Sequence, residues 1–195
     1  MSWSAFQTFT DLDAFHAAFP MRAESVITGR GDFRTDLATI QLDRVLLRHA
    51  RETLPRTVYS AVDPSQITIG FINDPRQQIY VNGLELVPGA MVVFSSEAHN
   101  RFVSATRWST VGLPHEDLAA AGQTLTGHEL VAPPHSLIRL SPPLFSKLLK
   151  LHKAVSQLAE AAPEVLAGAE VARALGNLCK SHLANDRFML HRRTA

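Results

Sequence analysis

One cysteine, Cys179, occurs in 195 residues. A single thiol excludes an intrachain disulfide and any zinc site built from several thiolates, and it suits a reducing compartment. No charge sign dominates either: 19 Lys and Arg stand against 18 Asp and Glu, a formal charge of +1. That balance leaves no electrostatic footprint for wrapping nucleic acid or lying on a membrane, so direct DNA contact by this chain alone is not expected. No apolar run approaches the roughly 18 residues of a membrane span. The opening "MSWSAFQTFTDLDAF" lacks a basic segment followed by an apolar one, and a cytoplasmic location is expected. The nine histidines never fall in a His-x-His pair. There is no internal repeat and no low-complexity segment.

What is present is enough apolar material for one good core. At 46% apolar and 21.4 kDa, the chain fits one domain with an appendage better than two full domains. Its texture changes near residue 110. Before that point lie short runs rich in Val, Ile, Thr and aromatics, among them "DFRTDLATIQL", "RVLLRHA", "RTVYSAV", "QITIGFI", "QIYV" and "AMVVF". Turn chemistry separates them: "GRGD", "VDPS", "NDPRQ", Asn82-Gly83 and Pro88-Gly89. Seven or eight strands at this spacing predict an antiparallel sandwich or barrel. A short helix is expected before them over "DLDAFHAAF", capped by Thr10 and ended by Pro20.

After residue 110 helices take over. "GLPHEDLAAAG" reads as a short helix entered through Pro114, and Ser141-Pro142 as the start of a longer one. Leu144, Leu148, Leu151, Val155 and Leu158 then follow at spacings of four, three, four and three, the pattern of an a/d seam. Pro163 breaks it. A second helix is expected from about Glu164 into the 180s, with Val171, Leu175 and Leu178 at the same spacing. The two would form an antiparallel hairpin, offer a dimerisation stripe, or do both. The chain thus divides into a β part with its short leading helix (1–110), a connecting segment (111–140) and a helical element with a tail (141–195).

Gly83, Pro88-Gly89, the apolar strand after them and His99-Asn100 together resemble the second motif of cupin barrels. A metal-binding cupin also needs an earlier cluster of converging N and O ligands. The earlier strands offer only His49 and, three residues on, Glu52. No metal, no other cofactor and no catalytic group is therefore expected. Cys179 lies in an apolar helical stretch and reads as a small core residue. A small antiparallel barrel can still enclose one small molecule. His49, Phe71 and His99 are the residues assigned to line that pocket, with plain core packing as the alternative for each.

In order and spacing, the segments "GDFRTDLATIQLDRVLLRHARETLPR" (31–56), "ITIGF" (67–71), "NGLELVPG" (82–89), Trp108 with "VGLPHEDL", "LTG" (125–127) and "LLKLHKAVSQLAEAAPEVL" (148–166) resemble the amino-terminal half of AraC/XylS-family transcription regulators. The resemblance covers nearly the whole chain. It implies a mostly β plus α fold, a cupin-like antiparallel barrel followed by a carboxyl-terminal helical hairpin. It also implies a small-molecule effector, a homodimer, and no enzyme activity. Family members carry two helix-turn-helix units at the carboxyl end, where a recognition helix enters the major groove. Only ten residues follow Asn185, so those units are expected to be missing and DNA to be reached through them only in full-length relatives. The alternatives are a small cupin enzyme, such as an isomerase or a metal-dependent oxygenase, and a structural dimerisation module without a ligand.

Overall fold

Alternating apolar residues in the first part of the chain become strands because each can bury one face while its backbone groups pair with a neighbour. The computed structural model describes residues 2–19, 22–61, 63, 65–74, 76–87, 89–94, 97–129, 136–139, 141–162 and 177. In order these form β1 (Trp3–Phe9), α1 (Leu12–Ala17), β2 (Arg22–Ile27), β3 (Thr35–Leu42), β4 (Val45–Glu52), β5 (Arg56–Ala61), β6 (Gln66–Ile72) and β7 (Ile79–Val81). Then come β8 (Leu84–Glu85), β9 (Ala90–Phe94), β10 (Glu97–Phe102), β11 (Thr106–Pro114), α2 (His115–Thr126), β12 (Ser136–Arg139) and α3 (Pro142–Ala161). The strands pair antiparallel in two sheets, ordered β1-β3-β4-β11-β6-β9-β12 and β2-β5-β10-β7-β8.

The expected fold, mostly β with helices and cupin-like in its antiparallel sheets, is the one observed. It takes the form of two facing sheets rather than one closed cylinder. Val58, Ile79, Val81 and Phe102 of the smaller sheet meet Ile72, Ala90 and Val92 of the larger one in a shared apolar cluster. At one end α1 caps the gap, where Phe15 packs with Phe33, Leu37, Ala50 and Leu54. The cap of α1 is Asp11, whose carboxylate accepts the Ala14 backbone N–H at 2.8 Å, and not Thr10. Aspartate reaches the third helical N–H from there, which leaves Thr10 outside the helix.

The outer face of the larger sheet is covered by the two longer helices. Leu118 of α2 and Leu148, Val155 and Ala159 of α3 join Ile40, Leu47, Ile69, Met91, Val93 and Val111 in the main core. The larger sheet is therefore buried on both faces, which explains why "QITIGFI" reads as almost continuously apolar. The boundary drawn at residue 110 falls inside β11, and α2 and α3 share a core with the strands. Leu148 and Val155 of the heptad seam are buried against this sheet of the same chain, and Leu151 and Leu158 are partly buried beside them. The side chain of Leu144 and the expected second helix, with Val171, Leu175, Leu178 and Cys179, lie outside the described residues.

The turns follow their residues. Asn82 and Gly83 both take positive φ, 49° and 80°, as a two-residue hairpin between β7 and β8 requires. α2 ends on Gly127 at φ 76°, which donates its N–H to the Gln123 carbonyl. Glu116 and Asp117 sit in the first turn of α2, where the helix dipole favours them, and Arg44 from the β3–β4 turn pairs with both. Among the described residues no helix is long and apolar enough to cross a membrane.

Candidate functional site

Between the two sheets lies a cavity of about 130 Å³. An apolar cavity of about 150 Å³ is large enough to admit benzene, so this one has room for a single ring or a short chain. Its register can be read across the larger sheet. Thr39, Arg48, Thr110, Gly70 and Val92 are successive partners on β3, β4, β11, β6 and β9. All but Thr39 line the cavity. Gly70 is needed there, because a Cβ would come within 2.8 Å of the Phe94 ring. Opposite, Asn100 of β10 sits between Val58 and Val81 and also faces the cavity. Ile79 and Leu86 complete an apolar wall, and Phe15, His16 and Phe19 close the end under α1.

Two arginines line this space, and their surroundings differ. Arg56 is fully engaged. Its Nε and Nη2 donate to Glu52 at 2.5 and 2.9 Å, and its Nη1 donates to Ser25 Oγ at 2.9 Å. The guanidinium also lies over the Phe102 and Phe15 rings. Glu52 in turn accepts the Trp108 indole N–H at 2.5 Å, and Ser25 Oγ is 2.8 Å from His16 Nε2. Burial, and then the charge of Arg56, hold the His16 imidazole below its ordinary pKa. This network is charge-balanced, with both ions nearly inaccessible to solvent.

Arg48 has no such counterpart. Its guanidinium lies 4.8 Å over the Phe19 ring, and among the described residues its buried Nε has no hydrogen-bond partner. No carboxylate comes within ion-pair distance of it among the described residues. Desolvation pushes its pKa down to about 10. It therefore remains a cation at neutral pH. Asn100 is buried, and among the described residues its Oδ1 has no partner.

The three residues assigned to the pocket from sequence are not brought together. His99 points out of the sheet: it is exposed, paired across the strand with Tyr59, and the cavity is lined instead by its neighbour Asn100. His49 and Phe71 lie in the row Ala38, His49, Ser109, Phe71 and Met91, whose side chains face α3. Phe71 borders the cavity, but its ring stands edge-on to Phe145 and His152 of α3. His49 Nδ1 is 3.0 Å from Asn73 Nδ2 and 3.1 Å from Ser109 Oγ, and its ring is 6.1 Å from that of His152. Burial is the main force lowering the pKa of both histidines, that of His152 to about 4. Sequence reasoning passed over Arg48, Asn100, Glu52, Arg56 and Trp108 as site residues. Alternation along β4 sets Arg48 on the face opposite Leu47 and His49, which is the available signal. Among the described residues no three His, Cys, Asp or Glu side chains converge as a metal site would require.

No protein-family model matches the chain, and no curated protein sequence does. Among solved structures, it is similar to the crystal structure of the AraC-like transcriptional activator CuxR. The TM-score is 0.61 at 13% identity, over 93% of this chain and 69% of that one. It is also similar to a predicted oxalate decarboxylase from Thermotoga maritima, with a TM-score of 0.32 at 14% identity, over 48% of this chain and 91% of that one. The chain shares its fold with the AraC-like activator along almost its whole length.

Proposed function

We propose that the chain is the effector-sensing module of an AraC-like transcriptional regulator, a binding protein of the cytoplasm and not an enzyme. The observation that carries this reading is the cavity between the sheets, lined by Arg48 and Asn100, whose Nε and Oδ1 are buried without a partner among the described residues. The shared fold with an AraC-like activator supports it. The balanced charge of the chain supports DNA contact through a helix-turn-helix part in full-length relatives rather than through this module.

Signalling would follow from differential affinity. A ligand that binds one arrangement of β4 more tightly than another shifts the population toward it, and α3 packs on the far side of that strand. The module would work as a homodimer, with the partly open Leu151 and Leu158 of α3 contributing to the contact between copies.

Thermal-shift screening of the purified chain against small metabolites tests the sensor reading, since a ligand that binds only the folded state raises the melting temperature. A compound that raises it in a saturable way is the expected result. Complete indifference to a broad panel would count against it. Stoichiometric metal found by elemental analysis would instead favour the enzyme alternative.

A further inference from the structure

We infer that the ligand is a small organic monoanion, a carboxylic acid on one ring or a short chain, whose carboxylate meets Arg48 and whose body fills the apolar space beside Asn100. The inference rests on the cavity being the effector site and adds the chemical class of what enters it. Charge bookkeeping supplies the sign. Glu52 and Arg56 neutralise each other through two hydrogen bonds, which among the described residues leaves Arg48 as the uncompensated charge lining the cavity.

A guanidinium N–H sealed from water without an acceptor is costly, and it persists where something else completes it. Arg48 Nε is sealed from solvent with no partner among the described residues. A carboxylate matches the planar fork of a guanidinium and gives short, charge-assisted hydrogen bonds. One guanidinium balances one negative charge, which argues against a phosphate dianion.

The remaining wall sets the body of the molecule. Val58, Ile72, Val81, Leu86, Val92 and Phe94 present hydrocarbon. Against them the Oδ1 of Asn100 is an acceptor that lacks a donor, so a ligand bearing a hydroxyl gains a further hydrogen bond there. The volume of about 130 Å³ matches one ring or a short chain.

Calorimetric titration of the full chain with hexanoate, benzoate and 4-hydroxybenzoate, each against its uncharged amide, tests this. At least one acid is expected to bind about tenfold or more tightly than its amide. Arg48→Met should abolish that preference and Arg48→Lys should retain part of it. Arg48 makes no hydrogen bond through its Nε, so the Met variant is expected to fold. Arg48→Gln, which keeps a polar head, provides a second neutral variant should it not.

Amides that bind as well as acids, or acids that bind Arg48→Met undiminished, would overturn the anionic class while leaving a ligand cavity in place. Failure of every acid overturns it too. The sensor reading itself fails only if the metabolite screen also gives nothing.

Discussion

Arg48 and His49 are consecutive on β4 and serve opposite sides of the larger sheet. The Arg48 guanidinium faces the cavity over Phe19, while the His49 imidazole faces α3, with the ring of His152 6.1 Å away. The Arg48 backbone also acts on the His152 ring, opposing the burial that lowers its pKa. One strand residue thus touches the cavity with its side chain and the helix with its main chain. Any displacement of Arg48 on ligand binding reaches α3 within a single residue.

The histidines under α3 give a pH dependence with a defined sign. Burial lowers the pKa of His152 from 6.5 to about 4, so the folded state prefers the neutral ring. Its contribution is complete above pH 6.5 and is lost as the pH falls toward 4, by on the order of 3 kcal/mol at most. His49 shifts in the same direction, through burial and then the charge of Arg107, while Glu160 opposes. Urea unfolding at pH 7 and 4.5 should show a loss of stability that is smaller in His152→Leu. An equal loss in wild type and variant would contradict the role given to this ring. Asp36, Asp63 and Asp74, whose pKa values are depressed, lose their contributions only at lower pH.

Leu148 decides what the heptad seam is for. Its side chain is buried among strand residues of the same chain. Leu148→Ala should cost about 2–5 kcal/mol, as for other buried leucines. The loss should be the same at every protein concentration, because the contact is intramolecular. A loss that grew on dilution would mean that this residue contacts a second copy instead.

The buried Glu52–Arg56 pair should be strongly coupled. Removing either partner leaves an uncompensated buried charge and is expected to cost about 3–5 kcal/mol. Glu52→Leu combined with Arg56→Leu should cost much less than the sum of the single changes. A double-mutant cycle by urea denaturation checks this, and simple additivity would contradict the pairing. Trp108 fluorescence reports the same site, since its indole donates to Glu52.

Much of the fold was legible because the larger sheet obeys simple alternation. "TDLATIQL" and "VLLRHARE" became β3 and β4, and Asn82-Gly83 made the expected hairpin turn. β1 and β2 escaped notice because they are edge strands with largely open faces. Trp3 and Phe6 remain exposed, and β2 half-buries only Ala23, Ser25 and Ile27. Of the three residues assigned to a pocket from sequence, Phe71 alone borders the cavity, for a physical reason. On β4 the apolar face looked like the interior of a barrel, but that face is covered by α3, and the cavity lies on the face of Arg48. A sheet buried on both sides hides its cavity face among ordinary core positions. The same slip by one residue separates exposed His99 from cavity-facing Asn100.

Whether the cavity is the effector site is tested most directly by filling it. Val92 is buried and faces the cavity beside Gly70, so Val92→Phe should occupy part of the 130 Å³ with a ring while the protein stays folded. The measurement is the ligand-induced shift in melting temperature, compared between wild type and Val92→Phe for every compound that stabilises the wild type. The account predicts that the shift disappears in the variant, whose circular dichroism and cooperative melt remain those of a folded chain. A folded variant that responds to the same compounds as strongly as the wild type would contradict it.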